Sequence, residues 1–425
     1  MPRLTHDKTT WLTYAQLGLW GFFLYGFGPV VPLLRDDQGT SAAVAGLHST
    51  GIAVGALLGG ALFAPVARRL GRGPAIWLGL AGVAAGVAAL GLLRPLPATI
   101  TAVAVIATFG MMVVSGVNVV LVAHHGPAAP AALAEANAAC AGMGILAPLV
   151  IGACVDAGLG WRPVMAVEVG LIALVALAAL TFRVRLPKAA RYDNSSSARL
   201  APRSDLEPTA AAAAAHRDGV TGSTARLPRA YWIAWLLMAV TGSIEVCLSL
   251  WTADVLRTHA GLSAGGASAA VAAIVCGMFA GRLAGGRFAL RWRPVPLLLG
   301  ALTVSLAGFA LFWSAPVGWL AVTGLVVLGL GNALHYPLAI SIALAVAGPA
   351  ADKAAGWSSY SMGVGFGIAP VALGWVADGV GPHLAFLLLP AFIAVALLLT
   401  GRLGRALRAP RPADEPTDDP APVPA

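Results

Sequence analysis

Long apolar runs separated by short polar breaks dominate the chain. The first extends from Trp11 to Leu34, and five more follow at about residues 41 to 66, 74 to 93, 97 to 123, 130 to 155 and 163 to 183. Each approaches or exceeds the roughly 20 residues an α-helix needs to cross a hydrocarbon core about 30 Å thick. Backbone amides find no water in lipid, so such runs predict helices. From Arg183 to Arg229 the pattern dissolves into Arg, Asp, Ser and Pro with an alanine run, Ala210 to Ala215, which predicts a disordered linker. Six further apolar runs then lie at about 230 to 256, 263 to 286, 294 to 313, 316 to 345, 354 to 377 and 382 to 403. The first run is too long for a signal-peptide core and lacks a small-residue cleavage site, so it is read as a retained span.

The two sets of six are related. Gly126-Pro127-Ala128-Ala129 returns as Gly348-Pro349-Ala350-Ala351, and Ala147-Pro148, Gly152 and Asp156 return as Ala369-Pro370, Gly374 and Asp378, always 222 residues later. A constant offset that carries two prolines and an aspartate predicts homologous halves. The expected fold is an all-α integral membrane protein of twelve transmembrane helices in two pseudo-symmetric six-helix bundles. Residues 1–183 form the first bundle, 184–228 a cytoplasmic linker, 229–404 the second bundle and 405–425 a disordered cytoplasmic tail.

Composition supports lipid as the main solvent, because 58% of residues are hydrophobic and only 11% charged, against about 25% charged in a soluble domain. The 27 basic residues outnumber 18 acidic ones, but no basic stripe with interleaved aromatics exists to suggest nucleic acid. Their placement explains the excess. With the N-terminus inside, all but Arg35, Arg94, Arg162 and Arg257 fall on inner segments, as expected of a multi-pass plasma-membrane protein with cytoplasmic termini. Cys140, Cys154, Cys247 and Cys276 lie within apolar runs and have no metal-ligand spacing. Neither a cofactor nor a metal is expected.

Twelve spans in two halves joined by a long cytoplasmic linker resemble the major facilitator superfamily. The stretch between spans 2 and 3, Arg68-Arg69-Leu70-Gly71-Arg72, is similar to that family's loop signature, although Arg68 stands where the family usually has Asp. Gly281-Arg282-Leu283-Ala284-Gly285-Gly286-Arg287 is its second-half counterpart, again without the acid, and Gly160-Trp161-Arg162 also looks like the family. The Gly142 to Gly152 run of span 5 resembles a worn exporter motif, in which small residues allow close helix approach and Pro148 a bend. The resemblance implies alternating access and a cavity lined by spans 1, 4, 7 and 10; the gating role of the family's missing acid does not carry over, and Arg68, Arg69, Arg72 and Arg282 with Pro148 and Pro370 are read as gating residues.

Few groups within the spans could carry chemistry, since an ionised side chain at mid-membrane costs at least about 2.5 to 3.5 kcal/mol. Glu245 on span 7 is read as the one acid well inside a span, and desolvation there suits it to load and release a proton. Asn332 and His335 on span 10, spaced i, i+3, are read as one polar face for substrate or proton. Gln16, Trp20 and Tyr25 on span 1 and Trp251 on span 7 offer aromatic walls and polar handles for a partly apolar ligand. Asp156 with Arg162, and Asp378 at the equivalent end of the second half, are expected to latch the outer side. No basic residue is expected mid-membrane, which disfavours a strongly anionic solute. No phosphate-binding loop and no convergent nucleophile and base occur, so an enzyme is not expected.

The reading is a monomeric, proton-coupled secondary transporter of a small neutral or amphipathic solute. Export by proton antiport is favoured. Proton-linked uptake of a sugar-like metabolite, or uncoupled uniport, is the alternative.

Overall fold

A computed structural model describes residues 4–184, 227–289, 292–347 and 351–407. Most of the expected linker and tail lies outside these residues. Among the described residues, twelve helical spans are long and apolar enough to cross a membrane. Spans 1 to 6 are Lys8–Gln38, Ala42–Leu70, Arg72–Leu92, Leu96–His125, Ala129–Asp156 and Arg162–Thr181. Spans 7, 9 and 11 are Arg229–Thr258, Pro294–Trp313 and Ala351–Val380. The remaining three are interrupted: span 8 is Ala264–Ala270 with Ala272–Ala289, span 10 is Gly318–Asn332 with His335–Ala347, and span 12 is Pro382–Ala385 with Leu388–Ala406.

Local chemistry fixes the helix ends. Asp7, Ser41 and Ser263 each accept a bond from a backbone amide in the first turn of spans 1, 2 and 8, satisfying donors that a helix start leaves free. Gly39 ends span 1 in the left-handed region at φ 60, and Gly71 turns the chain into span 3 at φ 92, conformations that favour glycine. Span 10 breaks before Pro337, at Ala333 and Leu334. Pro337 then sits in the first turn of the new helix, where its missing N–H costs nothing.

Small residues set the packing within each bundle, and the packing repeats with the sequence. Gly55 and Gly59 of span 2 lie on the backbone carbonyls of Ala104 and Thr108, while Gly277 and Gly281 of span 8 lie on those of Val326 and Leu330. Gly86 meets Ile106 as Gly308 meets Leu328. Both members of every pair are displaced by 222 residues, so the repeat is one of contacts as well as of letters. A Cβ at any of these six glycines would collide with its neighbour, which accounts for the abundance of glycine in the spans.

The two bundles meet closely at one end. Call the face that carries residues 4–7 and 407 the terminal face, and the opposite one the distal face. Gly152 of span 5 abuts Gly265 and Ala269 of span 8, and by the same symmetry Gly374 of span 11 abuts Ala42 and Ala43 of span 2. Gly28 of span 1 rests on Ser249 of span 7, and Gly46 on Pro370. All these crossings lie in the distal half.

Candidate functional site

Glu245 sits midway along span 7, partly exposed between enclosed neighbours. The Arg282 guanidinium of span 8 acts on it electrostatically, and Glu245 in turn acts on Tyr25 of span 1 and Tyr336 of span 10. Arg282 also faces Tyr25 and Cys140. Residues from spans 1 and 5 of one bundle and 7, 8 and 10 of the other thus lie within electrostatic reach of one another near mid-membrane. Arg282 is exposed and Glu245, Tyr25 and Tyr336 are partly so, hence they border accessible space rather than a closed core. Gly144 lies flat against the Tyr25 ring and Gly21 against Cys140. Gly144 of the span 5 run therefore seats Tyr25 at this junction.

Arg282 corrects the expectation of a bundle interior without cations. Its position near the end of span 8 suggests a membrane-face residue, but the long side chain extends inward to Tyr25 and Glu245. Sequence distance from a helix end does not reveal that direction.

Five other expected site residues do not converge there. Trp20 is buried against Gly110 of span 4 and stacks on Phe23 at 5.9 Å, because a ring that large fills the groove a glycine leaves. Gln16, one turn earlier, is fully enclosed, and neither of its amide atoms has a partner among the described residues. Trp251 is wholly buried in the hydrophobic core. The break in span 10 separates Asn332 from His335: the Asn332 amide nitrogen points to Met278 Sδ at 3.8 Å, whereas His335 Nε2 bonds Ser305 Oγ of span 9 at 3.1 Å. His335 thus ties spans 9 and 10 of one bundle together. Two further polar side chains within the spans are also internal. His48 bonds the Thr99 hydroxyl, and Glu168 is fully enclosed.

The distal face holds a polar closure that the sequence shows only in part. Asp254 of span 7 is fully buried and receives both Arg35 nitrogens, at 2.6 and 3.0 Å. Arg257 pairs with Asp36 at 2.8 Å. Asp156 accepts a 3.0 Å bond from the Ser263 hydroxyl at the start of span 8, while Asp378 accepts bonds from the amides of Ala42 and Ala43 at the start of span 2. Ser41 and Ser263 obey the 222-residue offset too, so the same test that found the aspartates would have found their partners. The expected pairing of Asp156 with Arg162 does not occur. Arg162 bonds Asp37 and the carbonyls of Gly91 and Leu93 inside its own bundle, because span 6 begins beside the end of span 3. Asp156 faces the other bundle.

Apart from the Arg282–Tyr25 contact near mid-membrane, the hydrogen bonds and ion pairs that join the bundles among the described residues lie in the distal half. Arg68 and Arg69 are exposed, Arg72 is partly so, and none of the three forms an ion pair among the described residues. Pro148 and Pro370 both lie inside their helices, Pro370 at the crossing with Gly46. These bonds hold the two bundles together at the distal face.

The sequence model of the Major Facilitator Superfamily matches residues 15–351. The chain belongs to this superfamily. It is a multi-pass membrane protein and a secondary transporter that works by alternating access, not an enzyme. No curated protein matches the sequence. Solved structures do match. A mutant of the nucleoside transporter NupG is similar over 94% of this chain and 99% of its own, with a TM-score of 0.71 and 15% identity. A bacterial homolog of the human lysosomal transporter Spinster, inward-facing and unoccupied, is similar over 94% and 98%, with a TM-score of 0.71 and 16% identity. FucP, in the outward conformation, is similar over 93% and 98%, with a TM-score of 0.56 and 17% identity. At these identities the likeness is one of fold.

Proposed function

We propose that this superfamily member is a proton-linked transporter, with Glu245 as the residue that takes up and releases the proton. The observation behind it is that Glu245, partly exposed at mid-membrane, adjoins charged and phenolic groups from both bundles. A carboxyl at a junction that changes its access when the bundles rock is placed to exchange protons with one face and then the other. With the termini in the cytoplasm, as the charge distribution suggests, the distal-closed form opens inward and the Arg35–Asp254 latch must part for outward opening.

In the exporter-like run of span 5, Gly144 packs on Tyr25 and Gly152 on Gly265 and Ala269, so helix packing accounts for these two glycines without reference to export. Solute and proton moving together into the cell is the reading we adopt. Structural neighbours include a D-xylose-proton symporter. In proteoliposomes holding a pH-sensitive dye, adding sugars, nucleosides, organic acids or antibiotics in turn should produce a proton influx with the transported class. Glu245→Gln should abolish that influx yet keep solute exchange. Wild-type influx in Glu245→Gln would sink the assignment.

A further inference from the structure

We infer that the transported solute carries a carboxylate, or an equivalent single negative charge, which binds Arg282. The inference rests on the transporter reading above and names the chemistry of its site. A guanidinium keeps its charge under all ordinary conditions. Such a charge at mid-membrane is costly unless something compensates it. The three arginines of the distal closure each have a carboxylate, Arg35 with Asp254 at 2.6 Å, Arg257 with Asp36 at 2.8 Å and Arg162 with Asp37 at 3.3 Å. Arg282 has none within 4.0 Å among the described residues: its side chain is exposed and its hydrogen-bond partner is the neutral Tyr25 hydroxyl.

The groups that face this site are Tyr25 from span 1, Cys140 from span 5, Glu245 from span 7 and Tyr336 from span 10. None supplies a fixed anion except Glu245 when ionised. A bound carboxylate would receive two parallel N–H bonds from the guanidinium fork, with the Tyr25 hydroxyl as a further donor and the phenol rings against an apolar remainder. Two carboxylates crowded on one cation repel, so the solute binds best when Glu245 is protonated. One proton then accompanies one monoanion, and the loaded site has the same net charge as the empty site with Glu245 ionised. That permits the bundles to rock in either condition without carrying additional charge through the membrane.

The probes are pyruvate, lactate, benzoate and phenylacetate, each set against its amide, with thermal unfolding of the purified full-length protein read at pH 6 and pH 8. All four acids are ionised at both values, so a pH effect reports the protein. At least one carboxylate should stabilise the wild type where its amide does not, and more at pH 6. Arg282→Gln should lose the effect. Glu245→Gln should retain it at both pH values. Arg282→Lys, which keeps the charge without the fork, should bind roughly tenfold more weakly, equivalent to about 1.4 kcal/mol; it also serves if Arg282→Gln does not fold. Equal stabilisation by the amides, undiminished binding by Arg282→Gln, or no response to any of the four carboxylates would overturn the inference. Proton influx driven by a neutral solute would remove the anion and leave the proton role of Glu245 standing. Carboxylate binding through Arg282 with no proton influx would do the reverse.

Discussion

Asp378, at the end of span 11, accepts a 2.7 Å hydrogen bond from the backbone amide of Ala42, the first residue of span 2. A carboxylate of one bundle thus caps a helix of the other, where the free N–H groups and the helix dipole both favour negative charge. The contact exists only while the distal face is closed. Replacing Asp378 with Ala should cost the closed form about 1 kcal/mol and raise the distal-open population roughly fivefold. Labelling of a cysteine introduced at the distal surface measures the change, and an unaltered labelling rate would contradict it.

Arg35 and Asp254 form the most enclosed pair of this closure, with the Asp254 side chain wholly inaccessible. Removing only Arg35 strands a buried carboxylate, a change that typically costs about 3 to 5 kcal/mol. Arg35→Met should therefore lower the unfolding temperature sharply. Arg35→Met combined with Asp254→Leu should recover much of the loss, because neither charge is then left alone. A double variant no better than the single one would show that the pair is not the relevant contact.

Gly28 faces the Ser249 carbonyl across the bundle boundary with no room for a side chain. Gly28→Leu should wedge the distal side apart while leaving each bundle intact. Spin labels at Leu159 and Val380, exposed residues at the distal end of opposite bundles, should move apart by several ångströms. The same labels on Gly142→Leu should not move, since a Cβ at Gly142 meets nothing within 4 Å.

At the terminal face, Asp7 caps span 1 by accepting from the Thr10 amide at 2.8 Å and the Thr10 hydroxyl at 2.7 Å, and it lies 2.7 Å from His124 Nε2. Partial burial opposes ionisation, but these bonds outweigh it and hold the carboxyl below its ordinary value near 3.8. A depressed folded-state pKa gives stability that is complete above the unfolded value and fades as pH falls through the folded one. The difference in unfolding temperature between wild type and Asp7→Asn should accordingly be independent of Asp7 ionisation from pH 5 to 8 and shrink below about pH 3.8. Asp7→Ala should cost about 0.5 to 2 kcal/mol through the lost cap.

The spans were legible because lipid demands long apolar helices, and the pairing of Asp156 with Asp378 was legible because duplicated halves keep equivalent residues at one offset. Direction and partner choice were harder to see. Arg282 lies close to the end of its helix in sequence, and only its side-chain course brings it to Glu245. Asp254 belongs with Arg35, which lies 219 residues away, and helical periodicity within one span carries no information about that distance. Asn332 and His335 share a face only if span 10 is continuous, which the turn at Ala333 and Leu334 prevents. Trp20 and Trp251 were read as cavity walls because indole has a polar edge, yet their bulk fills the helix interfaces instead.

The serine and aspartate contacts at the distal face join position for position across the duplication: Ser263 to Asp156, and the residues beside Ser41 to Asp378. An ancestral chain half as long, assembled as a twofold homodimer, would have made one such bond and obtained the second by rotation. In this polypeptide the two equivalent contacts lie within a single molecule. Its two halves, expressed as separate polypeptides in one membrane, should therefore find each other and rebuild a working carrier.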